Sequence, residues 1–235
     1  MRGWRPSGSA PRMTIRRIGC VGDVHGALRA LQTVLEHLRT ADVESVLFTG
    51  DFARGPFNAD PSLGNTASPS ELLDLVTSAC ANVLLVPGNH DDPALGAGVS
   101  IDGREMSWLG WRVAGIGGSP FTGGHFPYEW SDDRVDLAAW RAPDILLAHS
   151  PPADSGLDVI KSGKAVWSRA IREVAERMNG ILVCGHIHEA VGVSQLGKCL
   201  CYNAGSLGEP FGAVQYGVAS FDDETGTWQV NHVRL

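Results

Sequence analysis

Five short segments carry side chains able to hold a metal ion: Asp23-Val24-His25, Gly50-Asp51, Gly88-Asn89-His90-Asp91, His149 and Gly185-His186-Ile187-His188. Together they offer carboxylate, amide and imidazole groups and no thiolate. Mixed nitrogen and oxygen ligation suits first-row divalent ions such as manganese, iron, cobalt, nickel or zinc. Asp23, His25, Asp51, Asn89, His149, His186 and His188 are more ligands than one open site needs, and about right for two ions. Two ions roughly 3.5–4 Å apart need a shared carboxylate and a bridging water to damp their repulsion. Two carboxylates cancel only part of the ions' charge. The remainder lowers the pKa of the bridging water and attracts phosphate, even in an acidic protein. The chemistry these residues point to is a metal-bound hydroxide beside a site that attracts phosphate.

Each segment follows a short apolar run: residues 15–21, 43–49, 83–86, 145–148 and 181–184. Short, β-branched-rich, uninterrupted runs are expected of strands buried on both faces. In open α/β sheets, ligands bind at the carboxyl ends of strands, so residues as distant as Asp23 and His188 can converge there. Five of the eight histidines occupy these strand ends. Between the runs, Leu28, Leu31, Val34, Leu35 and Leu38 form a helical stripe. Ser68-Pro69 reads as a cap and first turn for a second helix, and residues 165–178 read as a third, stopped by Asn179-Gly180. The alternation implies βαβ units on a largely parallel core. Residues 99–116 and 191–235 read as further, antiparallel strands. Two long loops, residues 54–68 and 117–132, stand out as functional candidates.

The chain has 235 residues and a formal charge of −7. That balance argues against a partner of long nucleic acid, which calls for a basic surface. Hydrophobic residues at 43% and charged residues at 19% fit a globular chain. No apolar run reaches the ~18 residues of a membrane span, so no membrane association is expected. Residues 1–13 are basic and rich in Gly, Ser and Pro, without the apolar stretch of a signal peptide. They are expected to form a disordered or extended arm before a single domain over residues 14–235. Five cysteines, an odd number without a Cys-x-x-Cys pair, fit small buried side chains in a reducing cytoplasm. Cys199 and Cys201 are expected on one face of an ordinary strand.

The ordered motifs resemble the calcineurin-like metallophosphoesterase superfamily, whose pattern is D-x-H, G-D, G-N-H-[DE], a lone H and G-H-x-H. The resemblance runs from about Ile15 to the C-terminus. Gly117-Gly118-Ser119-Pro120, the Gly185–Glu189 stretch and Asn203-Ala204-Gly205-Ser206 look like a small prokaryotic subgroup related to cyclic-nucleotide phosphodiesterases. The resemblance implies a four-layer α/β/β/α sandwich of the metallo-dependent phosphatase type. It implies two divalent ions, manganese first, with iron, zinc, nickel and cobalt as alternatives. Asp23, His25 and His188 would hold one ion, Asn89, His149 and His186 the other, and Asp51 would bridge. Asn89 would also touch substrate. His90 would face the leaving group and protonate it as an imidazolium, with Asp91 orienting it.

One departure concerns the second motif. Many protein phosphatases of the superfamily read G-D-x-V-D-R-G there, where this chain reads Gly50-Asp51-Phe52-Ala53-Arg54-Gly55. The missing second Asp weakens a protein-phosphatase reading. Arg54 survives as a candidate phosphate clamp. The implied activity is cleavage of a small or nucleotide-sized phosphoester, diester or monoester, by a hydroxide between the ions. A silent metal-binding scaffold and a nuclease are the alternatives. The full ligand set counts against the first; the second calls for a basic groove or an appended DNA-binding domain, and neither is visible in the sequence. In the 117–132 loop, Phe121, His125, Phe126, Tyr128 and Trp130 could form a lid over a base.

Overall fold

The computed structural model describes residues 15–55, 66–132, 142–207 and 212–235. The expected arm at residues 1–13 and most of the 54–68 loop lie outside the described residues. In chain order the elements are β1 (Ile15–Val21), α1 (Leu28–Thr40), β2 (Ser45–Phe48), α2 (Pro69–Ala79), β3 (Asn82–Leu85), β4 (Arg104–Trp108), β5 (Trp111–Ile116), β6 (Ser119–Pro120) and β7 (Glu129–Trp130). They continue with β8 (Ile145–Ala148), α3 (Arg169–Arg177), β9 (Ile181–Cys184), β10 (Gly192–Leu196), β11 (Cys199–Asn203), β12 (Gln215–Asp222) and β13 (Thr227–Arg234).

Two sheets face each other. One has the order β13-β12-β1-β2-β3 and the other β10-β11-β9-β8-β5-β4. Alternation along each strand builds the layers. Ile18, Cys20, Leu47 and Leu84 of the first sheet meet Val113, Ile145, Leu147, Ile181 and Val183 of the second in a core between the sheets. The opposite side chains of the first sheet, Val46, Phe48, Val83 and Leu85, bury Leu31, Leu38, Leu72 and Val76 of α1 and α2. Leu146, Ala148, Leu182 and Cys184 of the second sheet bury Ile171, Val174 and Ala175 of α3. The result is the four-layer α/β/β/α sandwich.

The ligand-bearing strands do not share one sheet: β1, β2 and β3 are parallel neighbours in the first, β8 and β9 in the second. An apolar run buried on both faces reads the same whether a helix or another sheet covers it. The expected third helix begins late, at Arg169. Ser168 caps it by accepting a hydrogen bond from the Ile171 amide at 3.0 Å. The preceding residues bridge Val159 to Ala165 and Pro152 to Ser168 instead. α2 has the expected Ser68 cap, closed by Glu71 into a reciprocal capping box. Cys199 and Cys201 lie buried together under α3, and all five cysteines are free.

Candidate metal centre

All seven expected ligands reach one place, the meeting point of the two sheets' carboxyl ends. The loops are tied across before any side chain acts. The Asp23 amide donates to Gly50 O at 3.0 Å and the His25 amide to Asp51 O at 2.8 Å. The Gly185 amide donates to His149 O at 3.0 Å. Asp23 joins the sheets: its carboxylate accepts from the His186 amide at 3.0 and 3.2 Å. Asp23, His25, Asp51 and His186 all adopt positive φ, between 45° and 68°. Such backbone costs roughly 1–3 kcal/mol per non-glycine residue and persists where its surroundings enforce it, which is typical of functional sites.

Two ligand groups emerge. Asp23, His25 and His188 present atoms within 4.8 Å of one another, and so do Asp23, Asp51 and His149. Asp23 belongs to both. Asp51 Oδ2 also approaches the first group, lying 3.7 Å from His25 Nε2 and 3.6 Å from His149 Nε2. His188 Nε2 is 3.2 Å from Asp23 Oδ1 and from His25 Nε2. His149 Nε2 is 2.9 Å from Asn89 Oδ1. His186 packs on His149 with ring centroids 4.9 Å apart.

The hydrogen bonds around these rings show what the cluster is built for. His149 Nδ1 lies 2.7 Å from Thr49 O and His25 Nδ1 3.1 Å from Ala53 O. A carbonyl only accepts, so the Nδ1 contacts place the proton on Nδ1 of both rings and turn an Nε2 lone pair inward; for His149 that lone pair meets the Asn89 oxygen, a second acceptor, as around a cation. Burial, only partly offset by Asp23, lowers the His25 pKa to about 4, and burial likewise lowers that of His149. Both are therefore neutral near pH 7, with lone pairs aimed at an Asp51 carboxyl that is itself buried. His186 Nε2 is buried with no hydrogen-bond partner. Inward lone pairs, an orphaned imidazole nitrogen and two carboxyls fit divalent cations. The carboxyls divide the strain: burial opposes the Asp23 charge, but His188, His149 and His25 hold it well below the usual range. Burial, then Asp23 and Asp91, push Asp51 well above it.

His90 stands beside the cluster. Its Nε2 is 4.0 Å from Asp51 Oδ2, and its ring packs against His25 and Phe126 at 5.3 and 4.7 Å. One expectation about it needs correction. Asp91 does not orient it. The Asp91 carboxylate accepts from the amides of Phe52, Ala53 and Gly88 at 3.2, 2.7 and 2.8 Å, which clamps the loop carrying Asp51, while His90 Nδ1 has no partner. In the chain without ions or substrate the ring is held neutral near pH 7. Burial, reinforced by His149 and His188, lowers its pKa to about 4. Gly55 backs the ring: at φ +71°, a Cβ there would come 2.1 Å from His90 Nδ1. Arg54 lies half-buried, its side chain passing Gly26 next to the Asp23–His25 turn.

Gly88 makes room for Asp51. A Cβ on Gly88 would fall 1.9 Å from Asp51 Oδ1. Gly88→Ala should therefore displace that carboxylate and weaken divalent-metal affinity at least about tenfold, which calorimetric titration reads. Unchanged affinity would show that Asp51 is not a ligand.

The imidazoles also set an acid limit. Their ordinary pKa is 6.5, but in the folded chain His25 and His90 titrate near 4, and His149 and His186 are also lowered. Between these values the unfolded chain binds more protons, so stability falls as pH falls. Raised Asp51 and Asp91 work in the opposite direction, and lowered Asp23 works with the imidazoles. Chelator-treated protein should show a thermal midpoint that drops steadily from pH 6.5 to 4. A flat midpoint over that range would contradict the buried neutral imidazoles.

Several site residues leave no mark in the sequence. Thr49 and Ala53 act through their carbonyls, which every residue has. Asn203 belongs to the Asn203–Ser206 motif. It donates to Ile187 O at 2.9 Å and accepts from the Gly205 amide, holding the His186–His188 turn. In the 117–132 loop, Tyr128 and Trp130 are anchors. Tyr128 donates its hydroxyl to Asp102 at 2.6 Å and its amide to Asn89 O at 3.2 Å. Trp130 Nε1 donates to Gly117 O at 2.8 Å. Phe126 reaches His90, while Phe121 and His125 are exposed.

Comparison with known proteins bears on the fold and the family. An uncharacterized protein of Methanocaldococcus jannaschii, MJ1162, is 28% identical over 136 residues, covering 52% of this chain and 62% of its own length. This chain thus spans under two thirds of that relative. Two solved structures share the fold. The Thermus thermophilus protein TT1561 has a TM-score of 0.64 at 18% identity, covering 94% of this chain and all of the other. A novel archaeal phosphodiesterase has a TM-score of 0.52 at 15% identity, covering 92% and 99%. Residues 16–190 match the family described as calcineurin-like phosphoesterase, and this chain belongs to that family.

Proposed function

We propose that the chain hydrolyses small phosphoesters with two divalent ions, manganese first among iron, zinc, nickel and cobalt. The observation carrying this reading is the set of inward imidazole nitrogens around Asp51, with His186 Nε2 buried and unpartnered. Asp23, His25 and His188 would hold one ion, and Asn89, His149 and His186 the other. Asp51, almost equidistant from both groups, would serve both. Bound ions would supply charge neutralisation at the phosphoryl oxygens and a water of lowered pKa.

The chain's own residues do the rest. Thr49 O and Ala53 O keep the His149 and His25 rings oriented. Arg54, at the rim, offers a fork of donors to a phosphoryl oxygen. His90 faces the leaving group. A phosphate's negative charge beside it opposes the desolvation that holds it neutral, raising its proton affinity for transfer to the departing oxygen. Asp91 keeps Asp51 in place through the Phe52 and Ala53 amides. No helix among the described residues is long and apolar enough to cross a membrane. Five free thiols support a cytoplasmic setting.

The test is a hydrolysis panel on protein reconstituted in turn with manganese, nickel, zinc and iron. It uses a phosphodiester chromogen, a phosphomonoester chromogen and cyclic nucleotides. Turnover that requires metal is the expected result. No turnover on any substrate, with no tightly held metal, would favour a scaffold instead.

A further inference from the structure

We propose that a cleft beside the metal centre is a subsite for the leaving group, and that it takes a planar aromatic ring. The proposal rests on the phosphoesterase reading above and adds to it the class of substrate. The cleft has a volume of about 530 Å³. Pro120 and Phe121 form one wall, Lys164, Val166 and Trp167 the other. Phe121 is 65% exposed, a large apolar ring left in water. Trp167 is steadied by the Arg169 guanidinium, 5.3 Å from its ring centroid.

Both walls are rooted next to the site. The Ser168 amide donates to Pro151 O at 3.1 Å and the Ala153 amide to Ser168 O at 3.0 Å, just beyond His149. Ser150 Oγ donates to Gly118 O at 3.2 Å at the foot of the other wall. The loop that begins at Phe121 then reaches His90 through Phe126, at 4.7 Å between rings. One short loop therefore joins the aromatic cleft to the residue that faces the departing oxygen. A flat ring attached to that oxygen can stack on Phe121 and Trp167. Of the charged lining residues, Asp132 is taken up by the Ser168 hydroxyl and the Arg169 amide, which leaves Lys164 to face the ester's charge.

The test measures binding, not turnover. Methylphosphonate and naphthylmethylphosphonate, neither of which can be hydrolysed as an ester, are titrated calorimetrically into manganese-loaded full-length protein. The aryl compound should bind about tenfold more tightly. Phe121→Ala and Trp167→Ala should each remove most of that preference and leave methylphosphonate affinity unchanged. Phe121 is exposed, so its variant decides the matter if Trp167→Ala misfolds. Equal affinities in the wild type, or a preference that survives Phe121→Ala, would overturn the cleft. If methylphosphonate binds and esters are cleaved without an aryl preference, only the cleft fails. If neither phosphonate binds and no ester is cleaved, the phosphoesterase reading fails with it.

Discussion

Asp51→Asn should lower kcat by about 10³-fold, roughly 4 kcal/mol of transition-state stabilisation, and at the same time make the metal-free chain more stable. The two effects share one cause. Asp51 is buried between Asp23 and Asp91, and this company pushes its carboxyl well above the usual range. Without cations, its charge is a burden. Asn keeps the shape and can still accept from the His90 amide, which bonds Asp51 Oδ1 at 2.9 Å in the native chain. What it removes is the negative charge shared by the two ligand groups. Chelated variant should therefore melt above chelated wild type, while added manganese raises its midpoint less. Kinetics and thermal melts on the same preparations check this. Full activity would remove Asp51 from the site, and a lower chelated midpoint would contradict the charge argument.

His90→Gln is expected to lower kcat by about 10²–10⁴-fold for esters with poorly departing alcohols. For p-nitrophenyl esters, whose leaving group needs no proton, the loss should be far smaller. His90 contributes no atom to either ligand group, so metal stoichiometry should stay unchanged. Gly55 and Phe126, packed on the two sides of the ring, should tolerate the shorter amide. Rate constants over a series of leaving groups separate the outcomes. A uniform loss across the series would show that His90 only positions neighbours, and a loss of bound metal would make it a ligand.

The convergence of the seven expected ligands was readable because each follows a strand, and the strands announce themselves as short apolar runs. β1, β8 and β9 begin and end where those runs do. Which sheet each strand joins was not readable, because Leu147 against the other sheet and Leu146 against α3 present the same apolar demand. Asp91 illustrates a second limit. The family resemblance implied that it orients His90, but successive side chains in a tight turn diverge, and three backbone amides claim its carboxylate. The protons that orient His149 and His25 depend on carbonyls, which no residue type signals. The aromatic loop was visible as a candidate, but only folding separates its anchors, Tyr128 and Trp130, from Phe126 on His90 and exposed Phe121.

The central claim is that two divalent ions sit on either side of Asp51. Manganese titration followed by electron paramagnetic resonance tests it most directly. The account predicts two Mn(II) per chain with the spectrum of an exchange-coupled pair, and uncoupled ions in Asp51→Asn. One ion per chain, or two that remain uncoupled in the wild type, would contradict it.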